Sequence, residues 1–502
     1  MKNILAVDIG TTAFKAIVIN ESGKILASDT LEYKIESPNP GWAEVPVDRY
    51  VDAFRSVYAS VLKKAHLTAE EIDTMGISCQ GETSVFLDEN NQPVYPAIVW
   101  MDTRASEEAE SIVEEFGIDL IQKNTGQICA DAIWPGAKLL WMRKHHPEIF
   151  SRMKKIVQLN GYIAYILTGR LAEDDSLLGS SIYWNINTRT YWKEMMDYIG
   201  LQEEMLPEVV YPGTNIGNVT KEASLRYGVS QHTIINIGGM DFSLGAIGAG
   251  NYKPGIFAES TGSSLCTVTL SDHPVLDPSL QMPCYCSAIP GMYMIHAYST
   301  GGMVVRWFRD NFCKMELEIA KSIGVNAYDQ MDAMTQDIPA GCEGLIALPH
   351  LQGSGPPDMN PKASAVFYGM NISHTKAHFI KAIYESMAII LRRIVNVTRG
   401  MDVEIDHVVS YGGGALSKVW LQIKADALGI PISTTASNES EGCIGAAILA
   451  GTACGIWDNI EDAAAALIKP GTTYMPNEKN KEAYDALYDK YMLLMKCLEP
   501  TF

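Results

Sequence analysis

The sequence predicts an α/β protein of two similarly built domains that face each other, and three observations predict it. At 502 residues the chain exceeds what one hydrophobic core organises. Apolar strand-like runs alternate with helical periodicity along its length. A strand–polar turn–strand unit around Thr11 and Thr12 returns in the second half around Gly262 to Ser264.

The elements follow in order. LAVDIG is a buried apolar run, TTAFKAIVIN alternates, and ESGK turns the chain into ILASDTLEYKI, which together make a three-stranded antiparallel meander. VDRYVDAFRSVYASVLKKA has the period of an amphipathic helix, and IDTMGISCQ reads as the next strand. From about 100 to 230, amphipathic helices such as KLLWMRKHHPEIF and LNGYIAYILTG mix with loops. TIINIGGMD is a buried strand closed by Gly-Gly and an acid; a short helical stretch follows, and GIFAESTGSSLCTVTL then repeats the hairpin. The glycine-rich GAIGAGNYKPG predicts a flexible joint, which divides the chain into residues 1–245 and 246–502.

Composition narrows the function. Hydrophobic residues make up 47% and charged residues 20%, which is globular rather than disordered. A formal net charge of −20 excludes nonspecific nucleic-acid binding, since phosphate backbones need a basic face, and favours solubility. The opening MKNILAVDIG meets an acid and a glycine too early for a secretory segment, and no apolar run is long enough to span a membrane. Ten cysteines, with Cys284 and Cys286 the one close pair, match neither a disulfide framework nor a zinc spacing. A cytoplasmic protein with free thiols is the expectation.

Four segments carry chemistry. In Asp8-Ile9-Gly10-Thr11-Thr12 an acid ends a buried strand, and a tight turn offers hydroxyls and N–H groups. Such a turn holds phosphate oxygens while the acid reaches a magnesium ion, or it is simply a polar hairpin. Lys15 offers charge to a phosphate or caps a solvated strand. Ser260-Thr261-Gly262-Ser263-Ser264 is a second small, hydroxyl-rich turn, and a triphosphate held between two domains needs one from each. Tyr411-Gly412-Gly413-Gly414-Ala415, with Leu416 and Ser417 behind it, follows the apolar run HVVS; its glycines admit a flat ligand or a phosphate, or merely pack a strand against a helix. Asp241 ends a buried strand, where a carboxylate takes the proton of a substrate hydroxyl during phosphoryl transfer, or else caps a helix.

In this order and spacing the segments resemble the FGGY carbohydrate kinases, relatives of actin, hexokinase and the chaperone ATPase domain. AVFYGMNISHTKAHFIKAIYE, residues 365–385, is similar throughout to the family's second signature, with a helix ending at Glu385. IWPGAKLLWMRKH is similar to the first through Pro135, Lys138, Trp141 and Met142, but Ile133 stands where an aromatic, Met, Gly or Ser is usual. YGGGALSKVWLQIKADALGIPI resembles the adenosine-loop segment, and the similarity runs from about residue 3 to 470.

The resemblance implies two actin-like (ribonuclease H-like) α/β domains, each with a mixed five-stranded sheet, and an active site in the cleft between them. ATP with magnesium would sit mainly on the C-terminal domain and the sugar mainly on the N-terminal one. By that resemblance Asp8, Thr11 and Thr12 form the first phosphate loop and Thr261, Gly262, Ser263 and Ser264 the second. Gly302, Gly413, Gly414, Ala415 and Ser417 contact the nucleotide, Asp241 is the catalytic base, and magnesium lies near Asp8 and Asp241. Family members are often homodimers.

For the sugar, GISCQGETSVFLD resembles the family's contacting segment. Glycerol kinases carry Gln-Arg-Glu-Thr there and xylulokinases Gln-Met-His-Gly; this chain has Gln80-Gly81-Glu82-Thr83, in which Glu82 accepts hydroxyls and Gly81 leaves more room than arginine would. Trp100 offers a flat face and Asp102 a further acceptor. Phe242 stands where glycerol kinases have glutamine and xylulokinases asparagine, and RWFRDNFC resembles the autoinducer-2 kinases. A ketopentose such as xylulose is the first expectation. Another polyol or modified sugar (erythritol, a rare ketose, autoinducer-2, glycerol) is the second. A nucleotide-switched binding module on the same fold is the rival from a different class.

Overall fold

The computed structural model describes residues 1–436 and 440–502. The N-terminal meander is β1 (Asn3–Ile9), β2 (Ala13–Asn20) and β3 (Ile25–Glu32), and α1 (Val47–Ala65) covers β2 and β3. β4 (Thr74–Cys79), β5 (Asn215–Asn218) and β6 (Ile234–Met240) complete a six-stranded sheet in the order β5-β6-β4-β1-β2-β3. The β1–β4 and β4–β6 pairs are parallel and the others antiparallel.

The second half opens with α2 (Asp241–Ala249) and the hairpin β7 (Gly255–Thr261) and β8 (Ser264–Ser271), joined by β9 (Cys284–Cys286) and β10 (Tyr293–Thr300). Helices α3 (Gly302–Phe312), α4 (Ala327–Thr335) and α5 (Lys376–Gly400) lead to β11 (Ile405–Tyr411), and α6 (Lys418–Leu428) to β12 (Ile432–Thr435). α7 (Glu441–Ala453) and β13 (Pro470–Tyr474) follow, and the sheet order is β9-β10-β8-β7-β11-β12-β13. The sheets therefore have six and seven strands rather than five. Five strands in each share one arrangement, an antiparallel meander continued by two parallel strands, and the additions β5, β9 and β13 are antiparallel edges.

The inner strands of both sheets are buried on both faces, and the period of two along each strand sorts residues between layers. In β1, Leu5, Val7 and Ile9 face the outer layer under α1, whereas Ile4 and Ala6 face a layer between the sheets. Phe257 and Leu265 face the outer layer of the second sheet, with Ile383 of α5 and Trp420 of α6. The middle layer is built on α2 and α7. Although α7 lies far along the chain, it packs on β1, β4 and β6 of the first sheet.

The division read at 245/246 falls inside α2. Gly245 and Gly248 of the stretch read there as a flexible joint are helical, and their lack of a side chain serves close packing. A Cβ on Gly248 would stand 2.0 Å from the Glu441 carbonyl oxygen, and one on Gly445 2.0 Å from that of Leu244. The helices thus cross backbone on backbone. The helix expected to end at Glu385 runs on to Gly400, because its apolar stripe continues through Ile389, Ile390, Leu391 and Ile394.

Candidate active site

Asp8 continues the Ile4–Ala6 row of β1, so its carboxylate faces the layer between the sheets. It lies opposite Ser78 of β4, whose hydroxyl donates to Oδ1 at 2.8 Å, while Lys15 stands 3.9 Å from Oδ2. Burial raises the Asp8 carboxyl above the usual carboxylate range, against Lys15 and Ser78. The Thr11 hydroxyl accepts the indole N–H of Trp100 at 2.8 Å, while Thr12 is exposed and its carbonyl accepts the Tyr33 N–H.

Asp241 is the first residue of α2 and its Oδ1 accepts the Phe242 N–H at 2.6 Å. Burial first, then the charges of Asp8 and Glu82, push its carboxyl up to about 8; the Phe242 N–H and Lys15 oppose this. β6 reaches this point through a bulge. Its pairing with β4 shifts register between Asn236 and Gly239, and Gly238 takes φ +70 where a Cβ would meet the Ile77 carbonyl oxygen at 1.5 Å. The strand end is pinned by Ser176, whose hydroxyl oxygen accepts the Met240 N–H at 3.0 Å.

The segment 80–83 leads into Ser84–Leu87, part of a small four-stranded sheet with Glu44–Val45, Ala97–Ile98 and Lys155–Gln158. Gln80 donates to the Tyr50 hydroxyl at 3.4 Å and its Oε1 is buried without a partner in the structure. Glu82 has φ +55, and its N–H donates to Gln158 Oε1 at 3.0 Å. Burial raises its carboxyl, with Ser180 and Lys138 opposing, and burial likewise lowers Lys138. Lys138, on the helix Pro135–His145, donates to the carbonyls of Val99 at 2.9 Å, Trp100 at 3.2 Å and Glu82 at 3.5 Å, so it braces the pocket from behind.

Two sequence expectations need revision. Gly81 does not leave a void, since Met240 Cε lies 2.8 Å from where its Cβ would be. Asp102 is fully buried with its oxygens taken, by the Ala43 N–H at 2.5 Å and by Arg104 through its backbone N–H, Nε and Nη2. Arg104 in turn pairs with Glu44 at 2.7 Å and lies 3.7 Å over the Trp42 ring. Asp102 therefore shapes the loop that presents Trp100.

In the C-terminal half a cavity of about 270 Å³ brings together Thr261, Gly262, Ser263, Gly302, Gly413, Gly414 and Ser417. Arg306 of α3, Asn326 before α4, Asp332 of α4 and Tyr384 of α5 complete it, and these the sequence reading missed, since they are scattered along the chain without a local motif. Ala415 is buried instead of lining the cavity, and exposed Leu416 takes its place, because Gly413–Leu416 form a single 3₁₀ turn before Ser417 caps α6. Ser264 starts β8 opposite Thr300 and also lies outside the cavity lining.

Beneath the second turn lies a buried ion pair. Glu259 faces the outer layer with Phe257, accepts Lys424 Nζ at 2.6 Å and the Thr261 hydroxyl at 2.8 Å, and also the Ser410 hydroxyl. Lys424 donates to Thr261 Oγ1 at 2.9 Å as well, so the Thr261 hydroxyl is spent internally. The turn offers its backbone.

Comparisons with known proteins show the family and the fold. The model of the FGGY family of carbohydrate kinases matches with its N-terminal domain over residues 3–248 and its C-terminal domain over 258–454. The chain is 25% identical to xylulose kinase of Bacillus subtilis (strain 168), covering 98% of this chain and 96% of that one. It is 28% identical to gluconokinase of the same organism (99% and 96%) and 28% identical to autoinducer-2 kinase of Enterobacter sp. (strain 638) (98% and 93%). The ligand-bound xylulose kinase structure from Lactobacillus acidophilus superposes with a TM-score of 0.90 at 25% identity, covering 99% of each chain.

Proposed function

This chain belongs to the FGGY family of carbohydrate kinases, and on that premise we propose that it moves the γ-phosphate of ATP to a hydroxyl of a small ketose, a ketopentose of the xylulose type first among them. The observation that carries the reading is Asp241: a half-buried carboxyl at the first residue of a helix that ends a buried strand, on which the charges of Asp8 and Glu82 both act. Residues 1–245 hold the sugar through Gln80, Glu82 and the face of Trp100, and residues 246–502 hold the nucleotide in the cavity between α3, α4 and α6. Asp241 accepts the hydroxyl proton, and the turns at Thr11 and Gly262 supply N–H donors to phosphate oxygens.

The donor set suits Mg²⁺. The charge of Asp8 raises the carboxyl of Asp241, a repulsion that a cation held by both would relieve. Asp8 and Asp241 would hold it, with phosphate oxygens and water as further ligands, and its charge offsets that of the phosphates. Closure of the two halves excludes water and so restrains ATP hydrolysis without sugar. No helix is long and apolar enough to cross a membrane among the described residues, and a cytoplasmic enzyme is the reading we adopt.

The test is ADP release from ATP–Mg²⁺ with xylulose, ribulose, erythritol and glycerol. Xylulose should accelerate release by orders of magnitude. A larger acceleration by erythritol or glycerol would replace the ketopentose assignment, and no acceleration by any of the four would overturn the reading as a kinase of small neutral sugars.

A further inference from the structure

Glu173, Asp174 and Asp175 run consecutively into Ser176 at the start of a short helix, Asp175–Leu178, and all four side chains are buried. A run of acids inside a protein persists only where each finds donors. Asp174 is the most fully supplied. Its Oδ1 accepts the Ser176 hydroxyl and the N–H groups of Ser176 at 3.0 Å and Leu177 at 3.4 Å, and its Oδ2 accepts Asn160 Nδ2 at 2.8 Å. The helix start fixed in this way is where two limbs of buried hydrogen bonds meet.

The first limb runs to Asp241. The pairing of β5 with β6 ends at Asn236, and beyond it the Met240 N–H goes to Ser176 Oγ at 3.0 Å. Because the Ser176 hydroxyl gives its own proton to Asp174, a lone pair of its oxygen is free for Met240. Asn160, held by Asp174, donates also to the Ile237 carbonyl at 3.4 Å, so both sides of the bulge are tied to one carboxylate. Asp241 is the residue that follows Met240. The second limb runs to Glu82. The Leu177 carbonyl accepts Gln158 Nε2 at 2.9 Å, and Gln158 Oε1 accepts the Glu82 N–H at 3.0 Å. Glu82 takes φ +55, a backbone that holds only where neighbours fix it. Ser180, just past the helix, hydrogen-bonds the Glu82 side chain, and its Oγ lies 3.8 Å from where a Cβ on Gly81 would stand.

We propose that residues 174–180 are a positioning element for the reaction, fixing Asp241 relative to the sugar-contacting segment through Ser176 on one limb and Gln158 on the other. This rests on the kinase reading above and deepens it. Ser176 and Gln158 act through the backbones of Met240 and Glu82, so they are positioning residues rather than catalytic ones. An ångström of slack in either limb moves the base off the hydroxyl it must deprotonate, and a displacement of that size costs about 100-fold in rate. The limbs lie in series. Breaking one already frees the base from the sugar segment, and breaking the other adds little.

The experiment uses the full chain, ATP–Mg²⁺ and whichever of xylulose, ribulose, erythritol and glycerol accelerates ADP release most. Ser176→Ala should lower kcat by about 100-fold and leave KM for ATP within about twofold of the parent. Gln158→Leu should lower kcat/KM for the sugar on the same scale, again with KM for ATP held. The double variant should fall no more than about tenfold below the poorer single one, a coupling between two side chains joined only through the helix. Thermal melting shows which variants fold. Should Ser176→Ala not fold, Ser176→Cys takes its place; it keeps a donor for Asp174 and offers Met240 a poorer acceptor, and kcat should drop about tenfold. A kcat within about twofold of the parent for the serine variant would overturn the proposal. Losses that multiply in the double variant would overturn it as well, because the limbs would then be independent props. So would a KM for ATP that rises as far as kcat falls, the mark of general loosening. In each of these cases the parent remains a kinase. A parent that none of the four sugars accelerates would remove the kinase reading itself, and this inference with it.

Discussion

Replacing Lys424 with methionine deletes the cation from a pair in which both side chains have no exposure to solvent. Glu259 would keep only the hydroxyls of Thr261 and Ser410 as donors. Removing one partner of a buried ion pair costs about 3–5 kcal/mol, because the remaining charge stays buried and uncompensated. The double variant Glu259→Met with Lys424→Met carries no buried charge and should recover all but about 1 kcal/mol. Function should not recover with stability. Thr261 loses the donor 2.9 Å away in both variants, so the second phosphate turn loosens and KM for ATP rises while KM for sugar holds. Urea unfolding at pH 7 gives the stabilities and initial rates give the two constants. A stability loss below about 1 kcal/mol for Lys424→Met would refute the argument. So would a double variant with an unchanged KM for ATP, since the pair would then have no bearing on the turn.

Asp241→Ala should leave nucleotide binding near the parent value, read by calorimetry, and lower turnover by several powers of ten; a fall below about tenfold would assign the base elsewhere. Glu385 is buried, takes the Gly341 N–H at 3.0 Å, and has its carboxyl raised from 4.5 to about 7, chiefly by burial. The folded state therefore holds a proton that the unfolded state releases, and stability drains as pH climbs through this window. Glu385→Gln should gain up to about 3 kcal/mol on the parent between pH 5 and pH 8 in paired urea titrations, and parallel curves would contradict it. Gly238→Ala puts a Cβ 1.5 Å from the Ile77 oxygen at φ +70, so soluble expression should collapse; a variant melting within a few degrees of the parent would show that the bulge relaxes. Trp100→Phe removes the bond to Thr11, worth about 1 kcal/mol, and should weaken ATP and sugar binding together by about fivefold, where loss of sugar affinity alone would deny the link.

What the sequence disclosed and what it hid follow from how each feature is encoded. The strands of the meander and of the second hairpin stand where the apolar runs and polar turns put them, since both signals are local. Asp8 and Asp241 were legible for the same reason: an acid closing a buried strand breaks an apolar run at one identifiable residue. The use of Glu259 was not legible. Both hairpins carry an acid just before the turn, opposite a serine of the next parallel strand, Asp8 with Ser78 and Glu259 with Ser410. Asp8 falls on the face toward the middle layer and Glu259 on the face toward the outer one, where it closes a buried ion pair instead. The decisive partner, Lys424, is 165 residues away and left no mark near Glu259. Met240 beside Gly81 and the closure of Asp102 on Arg104 were hidden likewise, because each depends on what the fold sets against the residue.

The crossing of α2 and α7 at Gly248 and Gly445 gives the molecule a smooth bearing. Side chains that interlock across a helix pair act as gear teeth, and turning one helix on the other means lifting them out of their sockets. Where peptide faces peptide there are no teeth, and a small rotation slides one backbone over the other with the contact intact. A single methyl group at either glycine would stand 2.0 Å from a carbonyl oxygen of the facing helix and drive the two backbones apart.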